Sequence, residues 1–87
     1  MKKITMFYFP SCPYCQKAIR LNEEIKAEHR EYADIEIEMI DEKKHPEIAD
    51  KFDYYYVPTY YVGGIKLHEG AADKQKIESV FGAALES

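Results

Sequence analysis

The chain has 87 residues, 46% of them hydrophobic and 32% charged, with a formal net charge of −4. Half of such a length would bury too little surface to stand alone, so we expect a single domain over residues 1–87. The apolar share argues against disorder, and the acidic balance argues against nucleic acid as a partner, because phosphate binding draws on a basic surface.

Residues 2–9 are β-branched and aromatic without Gly or Pro and predict a buried strand that stops at Pro10-Ser11. Residues 12–31 predict a helix, with Ser11 as N-cap and Pro13 in the first turn, where its missing N–H costs little. Ala18, Leu21, Ile25 and Tyr32 share its apolar face. Residues 34–40 alternate, with Ile35, Ile37 and Met39 on one side and Glu36 and Glu38 on the other. That pattern fits an edge strand wet on one face, and the acidic run through residue 42 reads as its solvated side.

Pro46 opens a short helix over 46–52, with Ile48, Ala49 and Phe52 as its apolar contacts. After Pro58, residues 59–62 form a third strand, Gly63-Gly64 a tight hairpin turn, and 65–68 a fourth strand. A last helix over 72–85 buries Ile77, Val80, Phe81, Ala84 and Leu85. The order β-α-β-α-β-β-α predicts an α/β fold. Its first two strands are parallel through a crossover, its last two form a hairpin, and helices cover both faces of a four-stranded mixed sheet.

Two cysteines are too few for a stapled secreted scaffold. Met1-Lys2-Lys3 resembles the start of a signal peptide, but the apolar run ends at Pro10 with no small-residue cleavage site. No stretch approaches the roughly 20 apolar residues of a membrane span, so the expected setting is a reducing cytoplasm, away from membranes.

Cys12-Pro13-Tyr14-Cys15 follows a strand and opens a helix, the context of a dithiol redox motif. Free N–H groups and the positive dipole end favour a thiolate there. Cys12 is the expected exposed nucleophile, and Cys15, one turn inside, is expected to stay protonated until needed. Other readings fit less well. A zinc finger using His29 needs a second His three to five residues on, where the chain has Tyr32, Ala33 and Asp34. Haem attachment needs His at position 16, which is Gln. An inert core pair does not explain a proline between two cysteines at a helix start.

The element order, Cys12-Pro13-Tyr14-Cys15, Val57-Pro58-Thr59 and Gly70 together resemble the thioredoxin superfamily along nearly the whole chain. The active-site motif is similar to that of dithiol glutaredoxins, with apolar Met6 where thioredoxins carry a buried Asp. Phe9 stands where glutaredoxins have the Lys that pairs with a glutathione carboxylate, and the acidic pair for the glutathione amino group is reduced to Asp73. From His45-Pro46 through Val57-Pro58-Thr59, and at Gly70-Ala71-Ala72-Asp73-Lys74, the chain is more similar to thioredoxins.

The resemblance implies thiol–disulfide exchange through Cys12 and Cys15. The substrates would be protein disulfides or glutathione mixed disulfides, and glutathione or a thioredoxin reductase would supply electrons. It implies no bound cofactor or metal, with glutathione as a possible co-substrate, and a monomer is expected. It also implies a cis Val57-Pro58 peptide facing the cysteines and a substrate surface of Pro13, Tyr14, Val57, Pro58, Gly70 and Ala71. Tyr54, Tyr55 and Tyr56 precede that proline as a candidate aromatic docking surface, whereas Tyr60 and Tyr61 are expected in the core. His29, His45 and His68 are expected to be structural or at the surface. The rival expectation is a non-catalytic binding module, or a protein that shares an iron–sulfur cluster through Cys12.

Overall fold

The structure, a computed structural model, describes residues 1–87. In chain order it contains β1 (Ile4–Tyr8), α1 (Pro13–Glu28), a 3₁₀ turn (Arg30–Tyr32), β2 (Ile37–Asp41), α2 (Pro46–Ala49), β3 (Thr59–Val62), β4 (Ile65–Glu69) and α3 (Lys74–Glu86). The strands form one sheet in the order β2-β1-β3-β4. β1 pairs parallel with β2 and antiparallel with β3, and β3 and β4 form the hairpin. Gly63 and Gly64 make its turn with φ of 58° and 80°, the positive values that a two-residue turn matched to strand twist requires. The mixed α/β sheet and the element order agree with the sequence pattern.

The main core lies between the sheet and the pair α1 and α3, and includes Ile4, Met6, Ala18, Ile25, Tyr60, Ile77, Val80 and Phe81. On the opposite face Phe7, Ile40 and Tyr61 pack under Ile48, Ala49 and Phe52 from the α2 segment. Tyr60 and Tyr61 thus serve the two faces in turn, as strand alternation dictates. Phe7 sits 4.7 Å from the Phe52 ring and 4.8 Å from that of Tyr54.

The structure corrects several local expectations. Ser11 does not cap α1. Cys12 does, in extended backbone, with its sulfur accepting the Cys15 N–H. Proline suits N1, so Pro13 places the cap at the residue before it. α1 ends at Glu28 rather than 31, because His29 turns extended. That break lets the Tyr32 ring reach Phe81 at 5.5 Å, while His29 Nε2 meets Glu78 at 2.9 Å. α2 closes at Ala49, short of 52, and α3 begins at Lys74, where the Asp73 carboxylate accepts the Lys76 N–H.

Burial does not follow alternation along β2. Met39 is 40% exposed, whereas Ile40 is buried against Phe7 and Tyr61. Asp41, expected on the wet side, is buried, and its carboxylate accepts the N–H groups of Lys43 and Lys44 in the turn toward α2. Leu85, expected in the core, is exposed at the end of α3.

Candidate active site

Phe7 of β1 pairs with Thr59 of β3. The chain leaving β1 toward Cys12 and the chain entering β3 through Val57-Pro58 therefore share one end of the sheet. Gly70 joins them there, its N–H donating to the Pro58 carbonyl at 2.9 Å. Its φ is 90°, which a side chain would strain. His68 holds the following turn. Its Nε2 lies 3.1 Å from the Gly70 carbonyl and 3.0 Å from that of Ala71, so this nitrogen carries the proton and donates to both. The Val57-Pro58 peptide is cis.

Both cysteines are free thiols. The Cys15 N–H donates to Cys12 Sγ at 3.4 Å, so the thiol of Cys12 occupies the position where a helix accepts negative charge. Cys12 is only 7% exposed, a correction to the open nucleophile expected. Its entry loop folds back on it: the Cys12 N–H bonds the Phe9 carbonyl, and Gln16 Nε2 bonds that of Pro10. Cys15 is fully enclosed. Burial pushes its thiol up to about 12, and the adjacent Cys12 sulfur adds to the rise, while a backbone hydrogen bond from Phe9 opposes it.

Beneath Cys15 lies a buried polar chain. The Tyr60 hydroxyl donates to Asn22 Oδ1 at 2.8 Å, and Asn22 Nδ2 reaches Met6 Sδ at 3.3 Å. Burial raises the Tyr60 phenol well above its ordinary range and keeps it neutral. Sequence reasoning missed Asn22. Its one signal is that it falls on the same face as Ala18 and Ile25, where a polar residue needs a buried partner.

Around the thiols, Tyr14 projects with 62% of its surface exposed, beside exposed Pro13. Pro58 is buried, Val57 and Gly70 are half-buried, and Ala71 is exposed. The three loop tyrosines divide. Tyr54 turns inward, stacking on Phe7 and donating to Glu42 Oε1 at 2.7 Å, whereas Tyr55 and Tyr56 are open to solvent. The Lys43 ammonium lies 4.4 Å over the Phe9 ring, near enough for a cation–π contact. No three His, Cys, Asp or Glu side chains come together as a metal-binding group. No helix is long and apolar enough to cross a membrane.

A family model described as a thioredoxin domain matches residues 2–82. The chain is 33% identical to a probable thioredoxin of Methanothermobacter marburgensis over 76 residues, covering 86% of each chain. It is 32% identical to the thioredoxin of Methanocaldococcus jannaschii over 75 residues, again covering 86% of each. A solved structure of a malarial protein superposes with a TM-score of 0.75 at 15% identity over 98% of both chains, a likeness of fold. The chain therefore belongs to the thioredoxin family and is, at the general level that membership supports, a thiol–disulfide oxidoreductase.

Proposed function

We propose that this chain reduces disulfides of proteins by dithiol exchange, with Cys12 as nucleophile and Cys15 as resolving thiol. The observation that carries the reading is the pair itself. Cys12 Sγ caps α1 over the Cys15 N–H, at the sheet end shared with the cis Val57-Pro58 peptide. The Cys12 thiolate attacks one sulfur of the substrate disulfide. A Cys12–substrate bond forms, and the other substrate sulfur leaves and takes up a proton. Cys15 then gives up its proton and attacks Cys12 Sγ, which releases the second substrate thiol. Two electrons pass from the pair to the substrate, and a Cys12–Cys15 disulfide remains for a donor to reduce.

The environment of Cys15 supports this order of events. Two of the causes that hold its proton, a hydrogen bond and a charge interaction, come from Cys12. Once Cys12 Sγ is bonded to substrate it carries no charge, and the second of these lapses when Cys15 must ionise. An extended substrate would pair with the backbone of Val57, which makes no backbone hydrogen bond within the chain.

A second reading concerns the electron donor. Lys43 over Phe9 returns a cation to the place where the glutaredoxin resemblance calls for one, which favours glutathione as a co-substrate beside a thioredoxin reductase. The proposed setting is the cytoplasm, with the protein as a monomer.

Reduction of insulin with dithiothreitol as donor tests the reading: Cys12→Ser should abolish turnover. Retained activity in that variant refutes the role given to Cys12. No turnover by the wild type, or a coloured protein on anaerobic purification, favours the binding-module or cluster-sharing alternatives. Coupled assays with glutathione and its reductase, or with a thioredoxin reductase, separate the donors.

A further inference from the structure

The loop before Pro58 is tied down residue by residue. The Asp53 carbonyl accepts from the Tyr61 hydroxyl at 2.7 Å and from Lys66 Nζ at 3.2 Å. The Tyr54 hydroxyl bonds Glu42. The N–H groups of Tyr55 and Tyr56 both donate to Glu69 Oε2, at 2.6 and 3.0 Å, and the Tyr56 carbonyl accepts from Thr59 Oγ1. The other oxygen of Glu69 takes Lys66 Nζ at 2.6 Å.

On this fixed backbone the Tyr55 and Tyr56 side chains are 86% and 69% exposed. Fixing a loop while leaving two large rings in water adds almost no apolar burial to the fold. It is the arrangement of a preorganised contact surface, in which rigid aromatic side chains offer area at low entropic cost. The tie at Asp53 comes from buried Tyr61 and from Lys66, that at Tyr54 from Glu42, and that at the Tyr56 carbonyl from Thr59 of β3. The tie on both ring-bearing N–H groups comes from one carboxylate at the end of β4.

We propose that Glu69 is a positioning residue for protein substrates: by holding the Tyr55 and Tyr56 N–H groups it presents both rings as a fixed platform for a disulfide-bearing polypeptide, and it takes no part in thiol chemistry. The inference rests on the oxidoreductase reading above and adds how that site selects its substrates. The placement supports it. Glu69 pairs with Thr59, the residue after Pro58, and the Tyr56 Cβ lies 3.8 Å from where a Cβ on Gly70 would stand, so the platform adjoins the cis-proline turn. Lys66 and the two N–H groups hold the Glu69 carboxyl down at about 2, so the latch stays charged at ordinary working pH. No local pattern announces it, since Glu69 and its two partners are separated by 14 and 13 residues.

The test compares wild type, Glu69→Ala and Glu69→Gln, with dithiothreitol as donor and either insulin or hydroxyethyl disulfide as substrate. Amide exchange at Tyr55 and Tyr56 is followed by NMR. Glu69→Ala should speed exchange at both amides and raise KM for insulin about tenfold with kcat within about twofold, while hydroxyethyl disulfide turnover stays within about twofold. Glu69→Gln keeps an oxygen acceptor and should fall between. Should Glu69→Ala not fold, Glu69→Gln carries the same readouts. Unchanged exchange, an unmoved insulin KM, or equal losses on both substrates overturns this inference alone. A wild type that reduces neither substrate overturns the oxidoreductase reading and this inference with it.

Discussion

Replacing Cys12 with Ser leaves Cys15 as the only thiol and isolates the environment of the resolving residue. Burial is the largest cause of its raised pKa, and it survives that substitution. At pH 8 a thiol with the ordinary value of 9.0 is about one-tenth thiolate, whereas one at about 12 is thiolate in about one molecule in ten thousand. Only the thiolate reacts with iodoacetamide, and the part of the rise that Cys12 supplies is lost in this variant. Alkylation of native Cys15 should therefore be slower than in the same protein unfolded in urea by more than about tenfold, with about a thousandfold as the upper bound.

Mass spectrometry of timed samples gives the rate, and circular dichroism at each pH confirms the fold. The pH profile separates charge from simple obstruction. A shifted thiol reacts faster with each step in pH well beyond 9, whereas an obstructed thiol of ordinary acidity levels off near 9 at a low rate. Levelling near 9, or a native rate within about tenfold of the unfolded one at pH 8, refutes the reasoning. The same shift has a consequence for stability. Between about 9 and about 12 the folded chain binds this proton more tightly than the unfolded chain does. The contribution is therefore complete below about pH 9 and is lost as pH rises toward 12.

Two further substitutions probe the scaffold. Tyr60→Phe strands the buried Asn22 oxygen and should cost about 1–3 kcal/mol in urea unfolding, while the double change with Asn22→Leu should cost less than the sum of the single ones; strict additivity would show that the pair is not coupled. Gly64→Ala meets no atom within 4 Å, so its cost is conformational, about 1–2 kcal/mol from a φ of 80°; an unchanged unfolding midpoint would contradict that conformation.

The amino-acid sequence alone determined the features that a few neighbouring residues specify. Pro10 and Pro13 bracket the end of β1 and the start of α1, with the two cysteines placed between and just after them. The 59–62 strand, the Gly63-Gly64 turn and the opposite facing of Tyr60 and Tyr61 follow from turn chemistry and a period of two. Such signals act over three or four residues, so they survive without knowledge of the rest of the chain.

Tertiary structure decided what covers each residue and which distant group it meets. Cys12 is only 7% exposed, a degree of burial no helix-start rule contains. Met39 and Ile40 exchange the burial that alternation assigns them, because Ile40 packs between the sheet and the α2 segment while Met39 stays on the open edge. Asn22 meets Tyr60 across 38 residues, and Glu69 meets the Tyr55 and Tyr56 backbone from the neighbouring hairpin. Local pattern fixes where a side chain points. The partner that satisfies a buried amide or anchors a loop is chosen only when separate segments pack, because desolvation and hydrogen bonding act between surfaces the sequence does not place side by side.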